Sequence, residues 1–217
     1  MSRSVDEDEH SLEMHLPYIY KMLSLYAATL LPYLPLKLTV YDSKNTAFQS
    51  NPASVPLVPI LVGNTDPSTE AHYGTLLAPY LSDPSNLFVI SSDFCHWGSR
   101  FRYTYYQSRD GTSATSLRSS SKIAKDWLIH ESIAAVDQES MDAVESGSHS
   151  GFLEQLKETG NTVCGRHPIG VFMAAVEKAK VANEGKGRFK FLRYERSGLV
   201  EDVKDSSVSY CSAFAVL

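Results

Sequence analysis

Three short strings in this 217-residue sequence hold side chains that handle protons, metals or thiol chemistry. The first is Ser91-Ser92-Asp93-Phe94-Cys95-His96-Trp97. Asp93 and His96 can form a carboxylate–imidazole pair, in which the acid orients the ring for proton transfer. A plainer reading also fits: a loop Asp capping a turn and a His packed on Trp97. The second string is Asn161-Thr162-Val163-Cys164-Gly165-Arg166-His167-Pro168. It sets a thiol, a guanidinium and an imidazole just ahead of a predicted helix. Helix starts beside cationic side chains favour thiolates, which serve as nucleophiles and soft metal ligands. A small buried Cys, a turn Gly and a His N-cap would read the same way. The third is Glu9-His10-Ser11-Leu12-Glu13-Met14-His15, where His10 and Glu13 share a helical face and His15 lies on another. An amphipathic helix with exposed polar residues accounts for it equally well. Tyr103, Tyr105 and Tyr106, with Arg100 and Arg102, could stack nucleobases, line a pocket rim or pack a loop. The sequence has no C-x-x-C pair, no H-E-x-x-H, no Gly-rich phosphate loop and no G-x-S-x-G elbow.

These strings need elements to position them. Leu12, Leu16, Ile19, Leu23 and Tyr26 recur at helical spacing, so a helix is expected from Glu9 to about Ala28, with Asp8 as its cap. Pro17 kinks it or starts it. Residues 37–54 read as a polar surface loop. Val55–Gly63 reads as a buried strand, Asp66-Pro67 as a helix start leading to Tyr80 or Leu81, and Asp83–Asn86 as a turn. Leu87–Ser91 reads as a second buried strand, which makes a parallel βαβ unit with Asp93 and His96 just past its carboxyl end. Trp97–Ser121 is polar. Further helices are expected over Lys122–Val136, Phe152–Glu158 and His167–Val181, and strands over Arg188–Tyr194 and Val208–Val216. The alternation predicts an α/β domain with a mixed central sheet flanked by helices.

Composition narrows the function classes. Hydrophobic residues make up 43% and charged residues 21%, an ordinary globular balance. The net charge of −5 argues against a nucleic-acid partner. The longest greasy stretch, Met22–Leu38, is interrupted by Ser24, Thr29, Pro32 and Pro35, so no membrane span is expected. No apolar signal core follows Met1, the three cysteines cannot all pair, and no Asn-x-Ser/Thr acceptor occurs. A cytoplasmic, reducing location is the simplest reading.

Taken together, Glu9-His-Ser-Leu-Glu-Met-His-Leu-Pro-Tyr18, Asp83-Pro-Ser-Asn-Leu-Phe-Val-Ile-Ser-Ser-Asp-Phe-Cys-His-Trp-Gly98, Cys164-Gly-Arg-His-Pro-Ile-Gly170 and Asp205-Ser-Ser-Val-Ser-Tyr210 resemble the Memo family, mediators of receptor-driven cell motility. The likeness runs in order along the chain as one domain over 1–217, with residues 1–5 outside it and 37–54 least similar. It implies a fold like that of the class III extradiol dioxygenases, with a metal pocket at the strand ends. It implies roles too: Cys164 as a thiolate metal ligand where the dioxygenases use a carboxylate, His96 as the pocket general base, and Asp93 as the aspartate beside it. His10, Arg166 and His167 are further pocket candidates. Iron or copper binding with oxidoreductase or dioxygenase-like chemistry is implied for the full-length site. Binding of a small molecule or a phosphotyrosine peptide, with Arg100, Arg102 or Arg166 on the phosphate, is the non-enzymatic alternative.

The resemblance also implies a departure. The family's two metal-binding histidines lie upstream of the Asp6-Glu-Asp-Glu-His10 string, and only five residues precede Asp6 here. His10 and His15 match later family positions and cannot stand in for them. The expectation is a chain shortened at its N-terminus, with an incomplete metal site, weak or no metal binding, and no activity of its own.

Overall fold

The computed structural model describes residues 10–30, 56–179 and 188–216. The chain divides into two compact units, Met1–Val62 and Gly63–Leu217.

In the first unit a 3-10 turn, Glu13–His15, leads into helix α1, Leu16–Leu30. Pro17 sits in its first turn, where a missing N–H leaves no bond unmade, so it starts the helix and does not kink it. The expected cap Asp8, the loop 37–54 and Val55 lie outside the described residues. The predicted strand over 55–63 needs correction: residues 57–62 join no strand, and Val58, Ile60 and Leu61 are exposed. Pro56 and Pro59 bring no N–H donor to a ladder.

The second unit opens with helix α2, Pro67–Leu81. Its start is the one the Asp66-Pro67 pair predicts. The Asp66 carboxylate accepts the Thr69 N–H and the Ser68 hydroxyl, each at 2.7 Å. These bonds, the Thr69 N–H foremost, bring its pKa down to about 2. Glu70, Gly74, Ala78 and Leu81 form its buried face. Helix α5, Arg166–Ala179, packs on that face very closely. A Cβ on Gly74 would stand 2.7 Å from both the Ala174 Cβ and the Ala175 nitrogen.

The expected strand over 87–91 is also corrected. These residues join no ladder, and Leu87 and Val89 are exposed. The first sheet contact comes later, where the Phe94 N–H donates to the Ser209 carbonyl at 2.8 Å. The parallel βαβ unit is therefore absent from the described residues. The ladders present are antiparallel: β1 (His96–Trp97) and β4 (Arg188–Arg196) flank β5 (Ser207–Val216), and β2 (Tyr105–Gln107) pairs with β3 (Ala114–Ser116). A strand is stable only against a neighbour that takes up its N–H and C=O groups, and among the described residues no strand pairs with 87–91. The two expected C-terminal strands are present as β4 and β5, and they pair antiparallel with a register shift at Leu192.

Helix α3 covers Ile129–Glu145, not 122–136. Its start is set by Glu131, whose carboxylate reaches back to accept the Leu128 N–H at 2.6 Å. Helix α4, His149–Thr159, is capped by the Ser148 hydroxyl and closed by Gly160 at φ 63°. The core gathers Phe94, Phe152, Val163, Phe172, Met173 and Phe189. A second cluster around fully buried Trp97 includes Cys95, Ile129, Ile133 and Val200.

Gly74→Ala tests the α2–α5 contact. The added methyl meets backbone that cannot rotate away, so unfolding free energy should fall by about 1–3 kcal/mol. Chemical denaturation of both proteins measures it, and an unchanged midpoint would show that the helices can separate at no cost.

Candidate functional site

Two segments that lie far apart in sequence run side by side here, residues 92–96 and 161–165. The Cys164 N–H donates to the Asp93 carbonyl at 3.2 Å, and the Asp93 N–H donates to the Cys164 Sγ, also at 3.2 Å. The Gly165 N–H donates to the Ser92 hydroxyl at 2.9 Å. A Cβ on Gly165 would lie 2.4 Å from the Ser92 Cβ, so the crossing is possible only with glycine there. Further along, Thr162 clasps His96: its hydroxyl accepts the His96 N–H at 2.7 Å and donates to the His96 carbonyl at 3.1 Å.

This crossing brings Asp93, His96 and Cys164 together. The His96 Nδ1 faces two carbonyl oxygens, Phe94 at 3.0 Å and Thr162 at 3.2 Å. Carbonyls only accept, so Nδ1 carries the proton and Nε2 holds the lone pair. Nε2 stands 3.7 Å from the Asp93 Oδ2. That is long for a hydrogen bond, but it places the carboxylate where a protonated ring would find its counter-charge. Phe101 packs edge-on against the His96 ring at 5.1 Å, and the Arg100 guanidinium lies 4.4 Å over Phe101. Cys164 is exposed, and so is Arg166.

The remaining candidates each have surroundings of their own. His10 is an exposed residue of the first unit. His167 lies inside the first turn of α5 and turns its Nδ1 to Glu70 at 2.8 Å. Tyr103 and Tyr105 stack on each other with ring centroids 6.0 Å apart, and the Tyr103 hydroxyl donates to the Thr159 carbonyl. That is loop packing of the plainer kind.

Sequence reading did not single out the residue behind the crossing. Asp137 of α3 is fully buried, and its carboxylate accepts the Cys95 N–H at 3.1 Å, the Asn161 side-chain amide at 3.0 Å and the Tyr194 hydroxyl at 2.8 Å. Cys95 and Asn161 belong to the two crossing segments, so one carboxylate holds both. Burial raises the Asp137 pKa, and its hydrogen bonds with Ser209, Asn161, Tyr194 and Cys95 oppose the rise. Its signal was present in the sequence: a charged residue beside the apolar stripe Ile129, Ile133, Val136, Val144.

The cysteines differ sharply. Burial pushes the Cys95 thiol up, and that of Cys211 up to about 12. Iodoacetamide should therefore modify Cys164 first, with Cys95 and Cys211 reacting only on unfolding. Peptide mass mapping over a time course checks this, and early label on Cys95 would contradict it. Asp137→Asn should cost about 1–3 kcal/mol, because an amide leaves one buried donor without an acceptor. The sign with pH follows from the raised pKa. The Asp137 contribution is greatest below the ordinary carboxylate value and declines as pH rises through the folded value. Denaturation midpoints should show that decline in the wild type and not in the variant.

Comparison with known proteins bears on the family of this chain. The Memo-like protein family matches residues 1–214. Protein MEMO1 of Danio rerio is 39% identical over 217 residues, covering all of this chain and 59% of its own length. Human Protein MEMO1 is 38% identical over 212 residues, 98% of this chain and 57% of its own. The Protein memo-1 homolog of Caenorhabditis elegans is 35% identical over 212 residues, 98% of this chain and 49% of its own. The chain thus spans between about half and three-fifths of the length of these relatives. A match of this extent makes the chain a member of the Memo-like protein family.

Proposed function

We propose that this chain carries the thiol and proton-handling half of a redox pocket related to that of the extradiol dioxygenases, working in the cytoplasm. The observation that supports the reading is the position of Asp93. Its N–H rests on the Cys164 sulfur while its carboxylate faces the His96 Nε2. In that role His96 takes a proton at Nε2, Asp93 steadies the resulting cation, and Cys164 offers a soft sulfur donor. Three free thiols suit a reducing compartment. No helix among the described residues is long and apolar enough to cross a membrane.

Iron or copper is the group the family likeness implies, and the donors among the described residues are too few to hold it as a resident metal. Among the described residues no group of three or more His, Cys, Asp or Glu side chains is arranged to hold an ion. Cys164 and the His96 Nε2 are two donors, with the remaining coordination positions left to water. The reading therefore routes no step through a metal. It expects weak binding, with the softer Cu(I) held better than Fe(II).

Competition titration with a Cu(I) chelator tests this. Cys164→Ser should weaken Cu(I) binding at least about tenfold, which is about 1.4 kcal/mol. Cys211→Ser should leave it unchanged. Equal affinity in the wild type and Cys164→Ser would remove the sulfur from the site.

A second reading is an adaptor that binds phosphotyrosine peptides in motility signalling. The feature favouring it is Arg100, held over Phe101 beside His96, with Arg166 exposed next to Cys164. A phosphotyrosine peptide should then bind more tightly than its unphosphorylated form, and Arg100→Ala should erase the difference.

A further inference from the structure

Glu70 is only 1% exposed, yet it sits on a helix face otherwise made of Gly74, Ala78 and Leu81. A buried carboxylate needs donors, and three converge on it. The His149 Nε2 lies 2.7 Å from Oε2, the His167 Nδ1 lies 2.8 Å from Oε1, and the Thr65 hydroxyl donates to Oε1 at 3.1 Å. The same His167 Nδ1 is 3.0 Å from the Thr65 oxygen, as a shared N–H would be. Room for the carboxylate comes from Gly170, where a Cβ would stand 2.2 Å from Oε2. His149 is itself anchored by its backbone N–H, which donates to the Glu177 carboxylate at 2.8 Å.

The far side of the His167 ring completes the argument. The Arg166 Nε–H donates to the His167 Nε2 at 3.1 Å. A nitrogen that accepts has no proton of its own, so the ring bears its proton on Nδ1 alone. Which nitrogen of a histidine stays free is set by the bond the other one makes.

We propose that Glu70, steadied by Thr65 and His149, is a positioning residue that fixes His167 as the Nδ1–H tautomer and keeps its Nε2 as an accepting nitrogen at the start of α5, three residues beyond Cys164. Arg166 occupies that nitrogen now, and a ligand carrying a hydroxyl or amine donor can take its place. The inference goes beyond the redox reading and does not rest on metal binding. Its test involves neither Cu(I) nor Cys164, so the two can fail separately.

The experiment is a nitrogen–proton correlation spectrum of the histidine side chains in the full chain, near pH 7.5, above the ordinary histidine pKa of about 6.5. His167→Gln assigns the signal. In the wild type, His167 should show a protonated Nδ1 and an unprotonated Nε2. Arg166→Ala should keep that pattern, because Glu70 sets it. Glu70→Ala should lose it. If Glu70→Ala does not fold, the wild type and Arg166→Ala decide the matter. A wild-type ring protonated on Nε2, or on both nitrogens, overturns the proposal. So does a switch of tautomer in Arg166→Ala.

Discussion

A carboxylate taken out of water must find donors, and Asp137 finds them on pieces of chain that would otherwise have no reason to meet. Its partners are neutral groups: the Cys95 N–H, the Asn161 amide and the Tyr194 hydroxyl, with Ser209 hydrogen-bonded to that hydroxyl. Each comes from a different stretch of the fold. Leaving any one of them unmade would strand a polar group in the core, so the segments are held in register together. The crossing that carries Asp93, His96 and Cys164 lies directly on this anchor. The Asn161 amide also donates to the Ser140 hydroxyl at 2.9 Å, which ties the same point to a second position on α3.

The sequence was most legible where the signal was local. Asp66-Pro67 marks the start of α2 because capping and a fixed φ act within one turn. Strands β4 and β5 were readable as strands because apolar and aromatic residues, among them Phe189, Phe191 and Tyr194, are interspersed with polar ones along them. Helix α3 was misplaced by about two turns because its start departs from the cap rule. An apolar Leu128 holds the cap position, and the bond comes from Glu131 reaching backward. The βαβ expectation failed for a different reason. Val55–Gly63 and Leu87–Ser91 have strand composition, but pairing is a property of two segments, and composition reports on one at a time.

The candidate site divides the same way. Asp93, His96 and Cys164 stood out as chemically capable residues in strings next to predicted elements. Thr162 and Glu70 did not, because their roles lie in contacts made at long range: Thr162 with His96, and Glu70 with His149 and His167. In the sequence Gly165 reads only as a turn glycine, and Gly170 only as part of a family string. Their reason is steric, each standing where a side chain would strike a neighbour.

The register shift at Leu192 has a consequence for how copies of this chain meet. Among the described residues β4 is the outer strand of its three-stranded sheet, with its Phe191 N–H taken up by the Glu145 carboxylate at 2.7 Å. The bulge puts an extra residue into that edge and breaks the regular spacing of its free N–H and C=O groups. Lys190 and Arg193 stand on either side of it, both largely exposed. A second copy arriving edge to edge would meet a kinked ladder. The bulge therefore works against regular edge-to-edge pairing along this strand.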